Sequence, residues 1–348
     1  MADTRLVMVG SVPVGANSPV TVQSMTNTDT RDAEATAAQI LALEAAGCEI
    51  ARASVYDMAC ARAFRRIKEK IHIPLVADVH FDHRLAIAAA ENGADKLRIN
   101  PGNIGGETKV RELVACAKAH KVPIRIGVNA GSLEKDLLER YGGPKPEAMA
   151  KSAMRHIAML EREGFYDIVV SLKASNVPDT VKAYRLMHAN VEYPLHIGVT
   201  EAGLGEYALI KSAMGLGALL LDGIGDTLRV SLTGDPVQEV TAALHILSAA
   251  GLRREKLEII SCPTCGRCNV ELESIVQTLR GRLKEIAVPL TVAVMGCAVN
   301  GPGEAKEADI GIAFGAGNGV LFHKGEKIAS GTAEEMLDRL VLEAKNMR

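Results

Sequence analysis

Short apolar runs rich in β-branched residues alternate with alanine- and leucine-rich stretches through most of this chain. The runs are VTVQSM (20–25), EIARASV (49–55), PLVADVH (74–80), KLRINP (96–101), PIRIGVN (123–129), DIVVSLK (167–173), PLHIGVTE (194–201) and DTLRVSLT (226–233). Their length and composition predict strands. Between them lie stretches such as DAEATAAQILALEAAG, LAIAAAENGA and KVRELVACAKAHK, which predict helices. Several end in glycine, as helix C-termini often do. Eight β-α units predict an α/β fold of the (β/α)8, TIM-type barrel class. A doubly wound sheet is the competing arrangement, and the count of eight favours the barrel. The preceding segment, RLVMVGSVPVGANSP, predicts a short hairpin closing the barrel floor.

The pattern changes after the helical stretch PVQEVTAALHILSAAGLRR. The rest of the chain contains LEIISCPTCGRC, PLTVAVMGC (289–297), DIGIAF (309–314), GVLFHKGEKIAS (319–330) and a last helix, TAEEMLDRLVLEAKNM. These predict a small α+β domain with cysteines on the loops after two strands. The expected boundaries are 1–253 for the barrel and 254–348 for the second domain. No Ser/Gly/Pro-rich linker separates them, so the hinge is short.

The strand runs are not uniformly apolar, and that carries the first functional signal. Strands of a parallel barrel are buried on both faces and should read as near-continuous apolar runs. Seven of these eight carry a charged or amide residue in the later half. They supply Arg52; Asp78 and His80; Arg98 and Asn100; Arg125 and Asn129; Lys173; His196 and Glu201; Arg229 and Ser231. Active sites of such barrels lie at the C-terminal ends of the strands. Any one of these residues reads most simply as a solvated strand end or a satisfied core group. Together, Arg52, Arg98, Arg125, Lys173 and Arg229 would bring five cations to one mouth. A polyanionic ligand compensates their repulsion, and arginine forks match phosphate oxygens. This implies a phosphate or diphosphate substrate, with Asp78 and Glu201 as candidate acid/base groups. The glycine-rich pieces INPGNIGGE (99–107) and GVNAGSLEKD (127–136) come after strands and could offer backbone N–H groups to phosphate, although neither is a Walker or Rossmann fingerprint.

Composition narrows the partners. The net charge is −2, which speaks against general binding to nucleic acid. No segment has the length and apolarity of a membrane span, and the start of the chain lacks the apolar core of a secretory signal. A cytoplasmic location is expected, where structural disulfides are rare. Seven cysteines then point to metal or redox chemistry, because they cluster. Cys262, Cys265 and Cys268 form C-x2-C-x2-C, and Cys297 stands apart in MGCAVNGPGEA. A zinc ribbon would want two separated C-x2-C pairs. A thioredoxin-type pair would sit in a different setting. Iron–sulfur ligation fits best: the loop can wrap a cubane, with a remote fourth ligand. Cys48, Cys60 and Cys116 fall inside predicted barrel elements and read as small core residues.

CPTCGR and MGCAVNGPGEA, with QSMTNT, INPGNIG, RIGVNAGSLEKD, HIGVTEAG and GIGDTLRVSLT, resemble the bacterial 4-hydroxy-3-methylbut-2-enyl diphosphate synthase family. The resemblance runs from QSM near residue 23 to ADIGIAFG near residue 315. It implies a barrel followed by a 4Fe–4S domain. It implies reductive ring opening of 2-C-methyl-D-erythritol 2,4-cyclodiphosphate with loss of water, in isoprenoid precursor biosynthesis. Electrons would come from flavodoxin or ferredoxin. It also implies a head-to-tail homodimer in which one chain's cluster domain covers the partner's barrel mouth. Carried over by motif, the substrate-binding group is Arg52, Arg98, Asn100, Arg125, Asn129, Lys173 and Arg229. Asp78 and Glu201 fall at the family's acidic positions, with Glu201 as the group that protonates the departing oxygen. The cluster ligands map to Cys262, Cys265, Cys297 and Glu304. Cys268 departs from that ligand set and is expected to stand beside the cluster without binding it. An iron–sulfur hydro-lyase on a phosphorylated sugar would need no reductant. An electron-transfer or iron-sensing protein would have no use for the strand-end cations.

Overall fold

The computed structural model describes residues 4–254, 257–284, 286, 288–297, 303, 308–315 and 317–347. The chain forms two compact units, Met1–Arg253 and Arg254–Arg348.

The first unit opens with a hairpin of β1 (Val7–Val9) and β2 (Val12–Val14), with Val9 opposite Val12. Its turn uses Gly10 at φ 56, a conformation that favours glycine in two-residue hairpins. Val9 and Val14 pack against Ile50 and Val76, which lie at the starts of barrel strands. The hairpin therefore closes the floor, as its sequence suggested.

Eight parallel strands form the barrel: β3 (Thr21–Met25), β4 (Ile50–Ser54), β5 (Leu75–Asp78), β6 (Lys96–Ile99), β7 (Ile124–Asn129), β8 (Ile168–Lys173), β9 (His196–Ile197) and β10 (Thr227–Leu228). Each pairs with its sequence neighbour, and β10 pairs with β3. A single bridge between Val170 and Leu195 joins β8 to the segment entering β9 and completes the ring. The last two strands are much shorter than the runs 194–201 and 226–233 that predicted them. Pro194 lacks the N–H a ladder needs. At Gly198, just past β9, a β-carbon would meet the Arg229 carbonyl and the Lys173 side chain, so the close approach there needs glycine. Helices between strands start at side-chain caps where the sequence offers them, as Asp32, Asp57, Asn176 and Asp235 do.

Strand alternation sorts the side chains. Ala51, Ala53, Leu97, Ile99, Ile124, Ile126, Leu172 and Ile197 join the large apolar core under the helices. The alternating positions Thr21, Gln23, Arg52, Lys96, Arg98, Arg125, Ser171 and His196 lie outside that core. The barrel interior is thus largely polar, where branched aliphatic side chains usually fill it.

The second unit is a five-stranded mixed sheet. Its strands are β11 (Leu257–Ser261), β12 (Leu290–Met295), β13 (Ile310–Gly315), β14 (Asn318–His323) and β15 (Glu326–Thr332), in sequence order across the sheet. The first three are parallel and the last two run antiparallel. The stretch 319–330, read as one segment from sequence, is a hairpin turning at Lys324 and Gly325, both at positive φ. Leu279 and Leu340, from helices Leu272–Arg282 and Ala333–Asn346, pack with Val292, Val294, Ile312 and Phe314. Ala293, Met295, Ala313 and Phe322 form a smaller cluster from the alternating positions. A capping box of Thr332 and Glu335 starts the last helix.

Candidate active site

All five predicted cations line one cavity of about 110 Å³ at the C-terminal ends of the barrel strands. Asp78, His80 and Asn129 line it too, with the hydroxyls of Ser171, Thr200 and Ser231. Asp78 ends β5 and is 3% exposed. Its Oδ1 accepts from Arg98 Nη1 at 3.1 Å, and its Oδ2 lies 3.6 Å from Arg52 Nε. Burial alone would raise the Asp78 carboxyl; Arg52 and Arg98 outweigh it and hold it at about 2. Arg98 Nη1 also meets His80 Nε2 at 2.8 Å. Burial lowers the His80 imidazole despite the opposing pull of Asp78. Arg52 Nε and Nη2 also contact Met25 Sδ, at 3.0 and 2.7 Å.

Arg229 stands just past β10 and is held from behind. Its Nε and Nη2 donate to the two oxygens of Glu239, at 3.0 and 2.9 Å. Glu239 is 3% exposed, in the first turn of helix Pro236–Ala249, and also accepts from Ser24 Oγ and the Leu232 amide. Arg125 is 1% exposed, and its Nε and Nη1 have no partner among the described residues. Burial, with Arg52 and Arg98 nearby, pushes it well below the ordinary arginine range. Lys173 ends β8. Burial, then Arg125, Arg52, Arg229 and Arg98, push its amine well below the ordinary lysine range. Among the described residues, four arginines and the Lys173 amine thus face two carboxylates in a buried mouth. A multiply charged anion is the ligand this arrangement can hold.

The remaining barrel residues are placed differently. Asn100 is buried, and its Oδ1 caps helix Pro101–Ile104 by accepting from the Gly102 amide at 3.1 Å. Glu201 is exposed in the loop after β9, its backbone left-handed at φ 52. It does not line the cavity, although Thr200 before it does. A non-glycine residue held there stores strain of a kind that recurs at functional loops.

In the second unit, β11 and β12 run parallel with Ser261 opposite Val294. Cys262 and Cys297 therefore leave the same end of the sheet. The Gly296 amide donates to Cys262 Sγ at 3.3 Å. Cys268 Sγ donates to the Val270 carbonyl at 3.3 Å and fills the space beside Gly296 that a β-carbon would need. Cys265 is exposed, and the Arg267 amide and guanidinium lower its thiol. None of the seven cysteines is in a disulfide; Cys48 and Cys60 are buried as expected, and Cys116 is half-buried. Among the described residues no three His, Cys, Asp or Glu side chains converge as a preformed metal site. The donor set still fits a soft metal centre in its chemistry, since four cysteines sit on the two loops that leave one sheet end. Glu304 lies outside the described residues.

Glu239, Gln23 and Lys96 were not foreseen from the sequence. An acid in a first helical turn reads as a complement to the helix dipole, so Glu239 gave no signal. Lys96, Arg98 and Asn100 alternate in KLRIN, and that period of two was the available clue to an inward-facing row.

Residues 4–244 match the GcpE TIM-barrel domain, and residues 258–346 match the GcpE protein C-terminal domain. The chain belongs to the GcpE family. It is similar over nearly its whole length to two relatives that carry the name 4-hydroxy-3-methylbut-2-en-1-yl diphosphate synthase (flavodoxin). The one from Geobacter sulfurreducens is 57% identical, covering 99% of this chain and 98% of the relative. The one from Caldanaerobacter subterraneus subsp. tengcongensis is 55% identical, covering 99% and 97%. A Stenotrophomonas maltophilia dihydropteroate synthase structure superposes with a TM-score of 0.52 at 14% identity, covering 71% of this chain and 98% of that one. That likeness bears on the barrel fold alone.

Proposed function

We propose that this GcpE chain is a flavodoxin-dependent 4-hydroxy-3-methylbut-2-en-1-yl diphosphate synthase, an oxidoreductase of isoprenoid precursor biosynthesis. It opens the ring of 2-C-methyl-D-erythritol 2,4-cyclodiphosphate, reduces it by two electrons and releases water. The observation that carries this reading is the mouth with four arginines, Lys173 and two carboxylates, in a chain 57% identical to a relative of that name. Arg52, Arg98, Arg125, Lys173 and Arg229 hold the two phosphoryl groups, with Asn129 at their edge. Asn100 supports the site by fixing the turn after β6. Asp78 keeps two arginines aimed at the ligand. It remains ionised at neutral pH, so it is poorly suited to give up a proton there. Glu201, exposed and outside the cation network, is the acid that protonates the departing oxygen.

Cys262, Cys265, Cys297 and Glu304 would hold a 4Fe–4S cluster. When bound, the cluster supplies the single electrons that no side chain can deliver. Flavodoxin is the donor. A homodimer is supported by the helix Gly205–Leu221, which exposes Tyr207, Ile210, Met214 and Leu221 at helical spacing beside the exposed Leu204. In that dimer one chain's cluster serves its partner's barrel.

The test is anaerobic purification, iron and sulfide counting, and turnover of the cyclodiphosphate with reduced flavodoxin. A brown protein active only with reductant is expected. A colourless zinc protein overturns the cluster. Turnover without any reductant makes the chain a hydro-lyase. Mixing a Cys297→Ser chain with a Glu201→Gln chain tests the composite site: recovered activity is expected, and inactive heterodimers count against it.

A further inference from the structure

We propose that the barrel takes up a proton when it binds its polyanionic ligand, and that the buried amines of Lys173 and Lys96 receive it. The inference rests on the diphosphate reading of the mouth. Lys173 lines the cavity at the end of β8. Lys96 opens β6, two residues before Arg98 in the same inward row. It has no exposed surface, and its Nζ has no hydrogen-bond partner among the described residues.

The charged groups facing these amines are mostly cations. Arg125 and Arg52 face both, and Arg229 and Arg98 also face Lys173. The nearby carboxylates are already engaged: Asp78 by Arg98 and Arg52, Glu239 by the fork of Arg229. Two imidazoles share the region. His80 contacts Arg98, and burial, then Arg125, push the His196 imidazole well below its ordinary range. A buried ammonium without water or counter-ion is costly, so such an amine gives up its proton. Burial and the surrounding arginines hold both lysines well below the ordinary lysine range.

An arriving diphosphate removes the electrostatic half of that penalty. Its charge offsets the arginines, and an opposite charge nearby favours the ammonium form. The amine then takes one H⁺ from solvent, and no bond in the ligand changes. A guanidinium starts from a far higher value than an amine, so even the depressed Arg125 holds its proton more firmly than the two lysines. Their buried amines are the groups proposed to change state. Between the free and bound values, affinity must fall as pH rises, by about tenfold per pH unit for each proton.

The probe is methanedisulfonate, a doubly charged stand-in for the two phosphoryl groups that does not titrate near neutrality. Calorimetric titration of the full chain at pH 8, in buffers of different ionisation enthalpy, reads proton uptake directly. Net proton uptake is expected, with Kd rising as pH rises, by up to about tenfold per pH unit for each proton. Lys96→Met should lower the proton number, and Lys173→Met should lower it and weaken binding as well. Binding without buffer dependence overturns the proton uptake and leaves the anion site standing. No binding at all overturns the anion site and the proposal with it. If a variant fails to fold, the wild-type buffer and pH dependence decides alone.

Discussion

The guanidinium of Arg98 fills the space that a side chain on Gly127 would need. Its Nε lies 2.5 Å, and its Cζ 3.0 Å, from where a β-carbon on Gly127 would stand. The two residues sit on paired strands, where Arg98 is opposite Arg125 and Gly127 comes two residues later. Gly198 does the same for Lys173, whose Nζ would lie 3.1 Å from an added β-carbon. Neither glycine has a positive φ; each is there for room. A polar barrel interior needs such gaps, because long cationic side chains must cross the axis. Gly127→Ala should push Arg98 off Asp78, and overpacking of this kind costs about 1–3 kcal/mol. We expect KM for the cyclodiphosphate to rise roughly tenfold or more, on that energy scale. Unchanged steady-state kinetics would show that Arg98 can move without consequence.

Arg125→Ala and Lys173→Ala should each weaken substrate binding and leave the cluster spectrum intact. Both side chains stand at the barrel mouth, remote in sequence from every cysteine of the CPTCGRC loop. Loss of a charge-assisted contact to a buried phosphate should cost on the order of 2–4 kcal/mol. Equilibrium binding beside the visible spectrum checks both halves. A variant that binds substrate as the wild type does puts the phosphate site elsewhere.

Much of this was legible because the chemistry sits at strand ends. The eight β-branched runs predicted the ring, and the interruptions in them predicted the mouth. Arg52, Arg98, Arg125, Lys173 and Arg229 all reach one cavity. What stayed hidden depends on register. Whether Lys96 faces the axis or the helices is decided by one residue of strand phase. Glu239 reaches Arg229 only because the helix after β10 returns beneath it. Glu201 carries an acid in a loop whose direction no periodicity fixes, and the backbone there is left-handed.

Asp78→Asn tests the carboxylate that binds two arginines. Its folded value is about 2, below the ordinary aspartate value of 3.8. A depressed carboxyl contributes stability above the unfolded value, and that stability is lost as pH falls toward the folded value. The window therefore runs from about pH 4 down to pH 2, with roughly 2 kcal/mol at stake. At neutral pH the variant leaves buried arginines uncompensated and should lose about 3–5 kcal/mol. Urea unfolding at pH 6 and pH 2.5 reads both effects. The gap between wild type and variant should narrow at the lower pH, and a constant gap would mean that Asp78 is not ionised in the folded protein.

The final test asks whether Cys268 is one of the cluster ligands. By spacing alone, Cys262, Cys265, Cys268 and Cys297 could close a four-thiolate cluster. Family resemblance gives the fourth place to Glu304, a harder and more readily displaced donor than thiolate. The described geometry gives Cys268 another occupation: its thiol donates to the Val270 carbonyl and packs against Gly296, which has no side chain to obstruct it. Serine can keep that hydrogen bond in nearly the same volume. Cys268→Ser should therefore retain iron and most activity, whereas Glu304→Ala should lose activity and destabilise the cluster. Gly296→Ala should displace Cys268 and disturb the loop, lowering iron content even though no ligand is changed. Iron and sulfide counts on the three variants decide it. Iron lost from Cys268→Ser, with Glu304→Ala still active, would make Cys268 the fourth ligand.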